Sequence, residues 1–294
     1  MHWKKVTLVG VGLLGGSLGL ALRKQGLATE VVGYVRRNTS LGECLRCRAV
    51  TSATLDLAEA VKGADLVVMC TPISQMGLLA VQMLPSLKRG ALVTDVGSVK
   101  GTVVRSLSAI FEQRGVHFVG SHPMAGAEKS GVSAARTDLF NSAVCVITPI
   151  ARSRPKAVKE VEALWKGVGC RVLRLSPEEH DELVSRSSHL PHVLAALLTN
   201  LVLNPGSRPE QQSLCANGFR DTTRIASGSP EMWRDIVLAN RRNLTGALRR
   251  FVRELEKFDR TLRRTDPEAL LKFFELAKRR RDEWSEQSSG SSQE

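Results

Sequence analysis

The 294-residue sequence predicts an α/β N-terminal domain built on a parallel sheet, followed by an all-α C-terminal domain. Three observations carry this expectation. Short β-rich runs alternate with helical patterns through the first half, a glycine-rich turn separates the first run from the first helix, and strand patterning ceases after residue 175.

Taken in order, the runs KVTLVGV, EVVGYV, DLVVMCTP, ALVTDVGS, HFVGSHP and AVCVITP read as buried strands. An amphipathic stretch after Pro155 leads to one more, Cys170 to Leu175. Such alternation calls for helices on both faces of the sheet. Gly10, Gly12 and Gly15 form GxGxxG between the first strand and the helical run Leu13 to Lys24. In that setting the first glycine permits a tight turn, the second lets a pyrophosphate approach the backbone, and the third allows close helix packing. The helix N-terminus stabilises the phosphate charge, so the first domain is expected to bind a dinucleotide in the Rossmann-like manner.

The second strand ends at Gly33, Tyr34 and Val35, where a carboxylate would accept from both ribose hydroxyls of NAD. Arg36 and Arg37 follow instead. Guanidinium groups there favour NADP, through charge-assisted hydrogen bonds to a 2′-phosphate; as two solvated loop arginines they would leave NAD open.

Ser176, Pro177 and Glu179 mark a helix start: a capping hydroxyl, proline at the first helical position and a carboxylate at the third. Beyond it, Trp233, Ile236, Val237, Asn240, Leu244, Leu248, Phe251, Leu255, Phe258 and Leu262 recur in steps of three or four. They predict one long helix with a mostly apolar face, suited to a homodimer interface or to burial in its own domain. Asp266 and Pro267 start another helix. The expected divisions are residues 1–175, residues 176–286 and a disordered tail, 287–294.

The net charge of +13 raises a nucleic-acid reading. Fourteen Lys or Arg against six Asp or Glu between Arg241 and Arg281 supply +8 of it, which suits the solvated face of an amphipathic helix, so no nucleic-acid partner is expected. The N-terminus lacks the apolar stretch of a secretory signal, and no run is long enough to span a membrane. A cytoplasmic protein with reduced cysteines is expected. Cys44 and Cys47 are paired at CxxC spacing without a second such pair, so they read as ordinary thiols.

A dinucleotide turn does not identify a reaction. Ser98 follows ALVTDVG and His122 follows HFVGS, which puts both at the carboxyl edge of the sheet, where open α/β folds bind ligands. At this point the sequence resembles the prephenate and arogenate dehydrogenases. The motifs GVGLLGGSLGLAL, CTPI, DVGSVKG, GSHPMAGAEKSG, SSHLPH, FRDTTRIA and MWRDI occur in family order within residues 6 to 236.

The resemblance implies an oxidoreductase that decarboxylates prephenate oxidatively to 4-hydroxyphenylpyruvate, or arogenate to tyrosine, in tyrosine biosynthesis. It implies that His122 takes the proton of the substrate hydroxyl and that Ser98 orients the histidine and substrate beside the nicotinamide. It further implies cofactor contacts at Leu13, Leu14, Thr71, Pro72 and Ser98. Arg224 matches a substrate-carboxylate arginine, with Asp221 and Glu128 holding it or gating the pocket. Ser188 and His192 match substrate-binding positions, and Trp233 a tryptophan near the pocket, with core packing as its alternative. His189 and His192 stand at HxxH spacing, but no third ligand faces them, so no metal is expected. A short-chain hydroxyacid or imine reductase is the nearest competing enzyme, although SRSSHLPHVLAALL lacks the lysine such hydroxyacid enzymes generally use.

Overall fold

The computed structural model describes residues 1–127, 129, 131–206 and 208–290. Its chain forms two compact units, Met1–Arg241 and a second from Arg242 onward.

The first unit opens with β1 (Trp3–Val9), α1 (Leu13–Lys24), β2 (Ala28–Tyr34), α2 (Asn38–Arg46), β3 (Ser52–Thr54), α3 (Leu57–Val61) and β4 (Leu66–Met69). It continues through α4 (Ile73–Met83), β5 (Leu92–Asp95), α5 (Gly101–Glu112) and β6 (His117–Phe118). These six strands form one parallel sheet in the order β3-β2-β1-β4-β5-β6. On β4 the side chains alternate between two cores: Leu66 and Val68 pack with Leu18 and Leu22 of α1, Val67 and Met69 with Met76 and Met83 of α4 and Phe111 of α5. Helices on both faces therefore explain why the strand is apolar throughout. The short β3 was not apparent in the sequence, since three residues at a sheet edge leave no periodic signal.

The run HFVGSHP, expected as one strand, divides between β6 and β7 (Gly120–Pro123). β7 pairs antiparallel with β8 (Val144–Thr148), and β8 pairs parallel with β9 (Arg171–Arg174), in a separate three-stranded sheet. The break has a polar cause. Val119 still donates to Val93 of β5, but the Ser121 amide turns to the Asp95 side chain at 3.1 Å, and Trp165 Nε1 of α6 (Pro155–Gly167) donates to Ser121 Oγ at 2.9 Å. Hydrogen bonds to side chains thus replace the parallel ladder.

The capping box forms as expected: Ser176 accepts from the Glu179 amide and Glu179 accepts from the Ser176 amide, opening α7 (Pro177–Val184). A π-helical turn (Ser185–His189), α8 (Leu190–Val202), α9 (Pro209–Ser213), α10 (Asn217–Thr223), a 3-10 turn (Arg224–Ser227) and α11 (Pro230–Ala239) complete the unit. No strand follows β9 among the described residues.

The single long helix expected over Trp233 to Leu262 is two helices, α11 and α12 (Arg241–Arg263). Asn240 interrupts them with φ −107° and ψ 22°, and its buried amide Nδ2 donates to the Asp181 carbonyl at 2.8 Å and to His189 Nδ1 at 3.1 Å. The apolar periodicity runs across this cap, which is why the sequence concealed it. In the second unit, α13 (Pro267–Gly290) begins with Asp266 accepting from the Ala269 amide, and Phe258 packs against Phe273 and Phe274. The expected tail from 287 is helical through Gly290, and residues 291–294 lie outside the described residues.

Candidate active site

The strand order reverses between β1 and β4, and a crevice at such a reversal is where open α/β sheets take their ligand. Two turns meet there. Gly10 has φ +97°, a conformation that favours glycine, and a side chain on it would strike Thr71 Cγ2 and the Cys70 carbonyl. A Cβ on Gly15 would lie 2.1 Å from the Gly10 carbonyl oxygen. One on Gly12 would meet nothing within 4 Å, so the backbone is open to an approaching group there.

Gly12 caps α1 without any side-chain hydrogen bond, which leaves the first amides of that helix for an anion. Thr71 Oγ1, at the end of β4, is buried without a hydrogen-bond partner. Leu13 and Leu14 open α1 beside this turn, and Pro72 caps α4. An unpartnered hydroxyl beside an open, uncapped glycine turn fits a dinucleotide pyrophosphate and its ribose. Arg36 and Arg37 are exposed just past β2.

His122 lies on β7, one residue beyond Ser121. Because successive strand residues face opposite ways, Ser121 serves the Asp95 network while His122 turns to α7. His122 is buried, with Nδ1 2.8 Å from Nε2 of the fully buried His180. His180 Nδ1 in turn lies 2.9 Å from Asp181 Oδ1. The Asp181 carboxylate accepts from the backbone N–H groups of Lys100 at 2.7 Å and Gly101 at 2.8 Å, where α5 begins.

Beneath the histidines, Lys100 is ion-paired with Asp95, both side chains wholly buried, and donates to the Ser121 carbonyl at 2.8 Å. Burial holds the His122 imidazole well below the usual histidine range, and His180, Lys100 and His189 reinforce it. His180 is lowered by burial against the opposing pull of Asp181. His122 is accordingly a neutral imidazole at pH 7, the form required of a base.

The helical residues form a second cluster joined to the first. Asn240 bonds both Asp181 and His189, and His189 meets Trp233 edge-on at 6.1 Å between centroids. His192 stacks flat on Trp233 at 3.4 Å and 16°. Burial pushes His192 down to about 4, and His189 also to about 4 despite Asp181 and the Ser98 backbone. A Cβ on Gly228 would lie 2.7 Å from Trp233 Nε1 and 3.1 Å from His192 Cε1, so the turn carrying Arg224 abuts this stack. Arg224 lines an open cavity of about 580 Å³ with Phe219, Arg220 and Thr223.

Ser98 is half-buried in the loop after β5, whereas the hydrogen bond of His122 Nδ1 goes to His180. Ser188 is half-buried in the π-helical turn, and Asp221 is exposed on α10. Glu128 lies outside the described residues. No group of three or more potential metal ligands occurs among the described residues.

His180, Asp181, Lys100 and Asp95 were missed in the sequence. Lys100 and Asp95 stood within the quoted motif DVGSVKG, but nothing in the spacing indicated that they pair in the interior.

The comparisons with known proteins agree with this geometry. Family models described as the prephenate dehydrogenase nucleotide-binding domain and dimerization domain match residues 18–174 and 176–276. The chain is 36% identical over 279 residues to a prephenate dehydrogenase of Bacillus subtilis, covering 94% of this chain and 75% of that one. It is 32% identical to a cyclohexadienyl dehydrogenase of Zymomonas mobilis, covering 95% of each. The crystal structure of prephenate dehydrogenase from A. aeolicus in complex with hydroxyphenyl propionate and NAD+ superposes with a TM-score of 0.90 at 33% identity, over 96% of this chain and 99% of that chain. A hydroxyisobutyrate dehydrogenase of Mycobacterium tuberculosis, at 14% identity and a TM-score of 0.53, shares the fold alone. With a dinucleotide turn at the sheet's reversal point and two adjoining matches across most of its length, the chain belongs to the prephenate dehydrogenase family of nicotinamide-dependent oxidoreductases.

Proposed function

We propose that the protein oxidises prephenate with loss of carbon dioxide to give 4-hydroxyphenylpyruvate, with His122 as general base. The observation that carries this reading is the buried, neutral His122 imidazole on β7, held by His180 of α7. Gly10, Gly12, Gly15, Leu13, Leu14, Thr71 and Pro72 would hold the cofactor, which supplies the acceptor for the electron pair of the substrate's carbinol C–H bond. His122 takes the hydroxyl proton as that bond breaks, which avoids a protonated carbonyl, and the carboxylate then leaves because its departure makes an aromatic ring.

Arg224 binds a substrate carboxylate through its guanidinium fork, supported by its place on the turn beside His192 and Trp233. Ser98, Ser188, His192, Trp233, Asp221 and Glu128 are assigned to substrate positioning, and Ser98 also to the cofactor. The functional boundary falls at 175/176, between the dinucleotide half and the helical half. A homodimer through the helical half is supported by the exposed Phe251, Leu255, Phe273 and Phe274 of the second unit. The reaction is assigned to the cytoplasm, in keeping with six unpaired cysteines. No described helix is long and apolar enough to cross a membrane.

NADP is the preferred cofactor in this reading, which is supported by two exposed arginines, Arg36 and Arg37, following β2 where a carboxylate would read the ribose of NAD. The deciding experiment pairs prephenate and arogenate with NAD and NADP and follows reduced nicotinamide. Prephenate with NADP is expected to give the highest kcat/KM. A higher value with arogenate reassigns the substrate, and a clear advantage for NAD that survives Arg36→Ala removes the arginines from cofactor choice.

A further inference from the structure

His180 and Asp181 belong to none of the motifs that suggested the chemistry, yet the geometry assigns them a part in it, resting on the reading of His122 as base. His180 is held at both ring nitrogens, Nδ1 by Asp181 Oδ1 at 2.9 Å and Nε2 by His122 Nδ1 at 2.8 Å. Each Asp181 oxygen already accepts a backbone N–H, from Lys100 and from Gly101. A carboxylate used in this way presents an acceptor to His180, so the His180 proton resides on Nδ1. Its Nε2 then carries a lone pair and can only accept. His122 must therefore donate from Nδ1–H, and its own lone pair lies on Nε2.

We infer that His180, oriented by Asp181, is a positioning residue that fixes His122 in the Nδ1–H tautomer, leaving Nε2 as the atom that takes the substrate proton. The step balances. The substrate O–H bond breaks as an Nε2–H bond forms at His122, and a bound nicotinamide would supply the acceptor for the C–H electron pair and its hydrogen. The resulting imidazolium keeps its Nδ1–H bond to neutral His180, which is polarised by the carboxylate behind it. The charged and titratable groups facing His122 are His180, Lys100 and His189, and those facing His180 are His122, Asp181, Lys100, Asp95 and His189. Lys100 and burial oppose protonation of both rings, so the pair rests neutral and the tautomer, rather than a charge, is what Asp181 determines.

The test uses the full chain labelled with nitrogen-15. Two-bond proton–nitrogen correlation spectra at neutral pH, assigned with His122→Asn, are expected to show His122 protonated at Nδ1. Asp181→Ala removes the acceptor that holds the proton on His180 Nδ1, which frees that proton to move to Nε2 and releases His122 into the Nε2–H form. The kcat is then expected to fall about 10²- to 10⁴-fold, with substrate KM within about threefold. His180→Ala is expected to lower kcat about 100-fold. His180→Gln, whose carbonyl can still accept from His122 Nδ1, is expected to recover at least tenfold of that loss.

A parent His122 protonated at Nε2, or a His180→Ala enzyme within twofold of the parent with the same acid limb, overturns the inference. If a variant does not fold, the parent spectrum alone decides. If the parent oxidises neither prephenate nor arogenate, the functional reading fails, whereas the tautomer is still read from the spectrum.

Discussion

Replacing Lys100 with Met removes the cation of an ion pair that is enclosed by protein on every side. Both side chains of the Lys100–Asp95 pair are 0% exposed. Met matches the lysine stem in length, so the change is mainly one of charge and of the hydrogen bond to the Ser121 carbonyl. It leaves Asp95 with two amide donors, Ser121 N at 3.1 Å and Gly97 N at 2.8 Å, and no counter-ion. Breaking a buried pair from one side costs about 3–5 kcal/mol, and the two remaining donors favour the lower end, about 3 kcal/mol. At about 2–4 °C per kcal/mol for a unit of this size, Tm should fall by about 6–12 °C.

Far-UV circular dichroism melts of the full chain measure this shift, and urea titration with an unchanged slope checks that the native state alone is weakened. Asp95→Asn added to Lys100→Met should restore part of the loss, because a neutral amide needs no cation while its oxygen still accepts from the backbone. A Tm within about 2 °C of the parent for Lys100→Met alone would refute the argument, since it would mean that Lys100 does not stabilise the buried Asp95 side chain. A second consequence concerns chemistry. Lys100 is one of the charges that depress His122, so its loss should move the acid limb of kcat/KM to higher pH.

Four other outcomes are expected. His122→Asn keeps the volume but cannot take a proton, so kcat should fall about 10²- to 10⁴-fold while cofactor Kd is retained. In the parent, the acid limb of kcat/KM should lie well below pH 6.5, because activity is present above the depressed pKa and lost as pH falls through it; a limb at or above 6.5 contradicts the neutral buried base. Arg224→Ala should raise substrate KM much more than it lowers kcat, and steady-state rates showing equal loss in kcat and kcat/KM at constant KM would remove Arg224 from ground-state binding. Gly15→Ala drives a methyl group to 2.1 Å from the Gly10 carbonyl, so dinucleotide titration calorimetry should show affinity falling by at least about tenfold; unchanged affinity would mean that the turn does not form the cofactor site.

The amino-acid sequence by itself determined what depends on local pattern. Apolar runs of strand length marked β1, β2, β4, β5 and β8, the spacing Gly10-Gly12-Gly15 marked the turn, and Ser176-Pro177-Glu179 marked the start of α7, because each is decided by residues within a few positions of one another. The sequence put His122 just after a strand at the carboxyl edge of the parallel sheet, whereas it lies within β7 of the second sheet, opposite Val146 of β8.

Tertiary structure alone decided what depends on partners distant in the chain. Whether HFVGSHP continued as one strand was settled by Asp95 and Trp165, 26 and 44 residues from Ser121. Whether the stripe from Trp233 to Leu262 formed one helix was settled by the cap at Asn240, whose amide reaches Asp181 and His189, 59 and 51 residues away. His180 and Asp181 lie in α7, outside every motif that the sequence offered. Only folding carries that helix to β7 and α5, across 58 residues to His122 and 81 to the Lys100 amide, and there the exclusion of water makes each hydrogen bond a constraint on where a proton can reside.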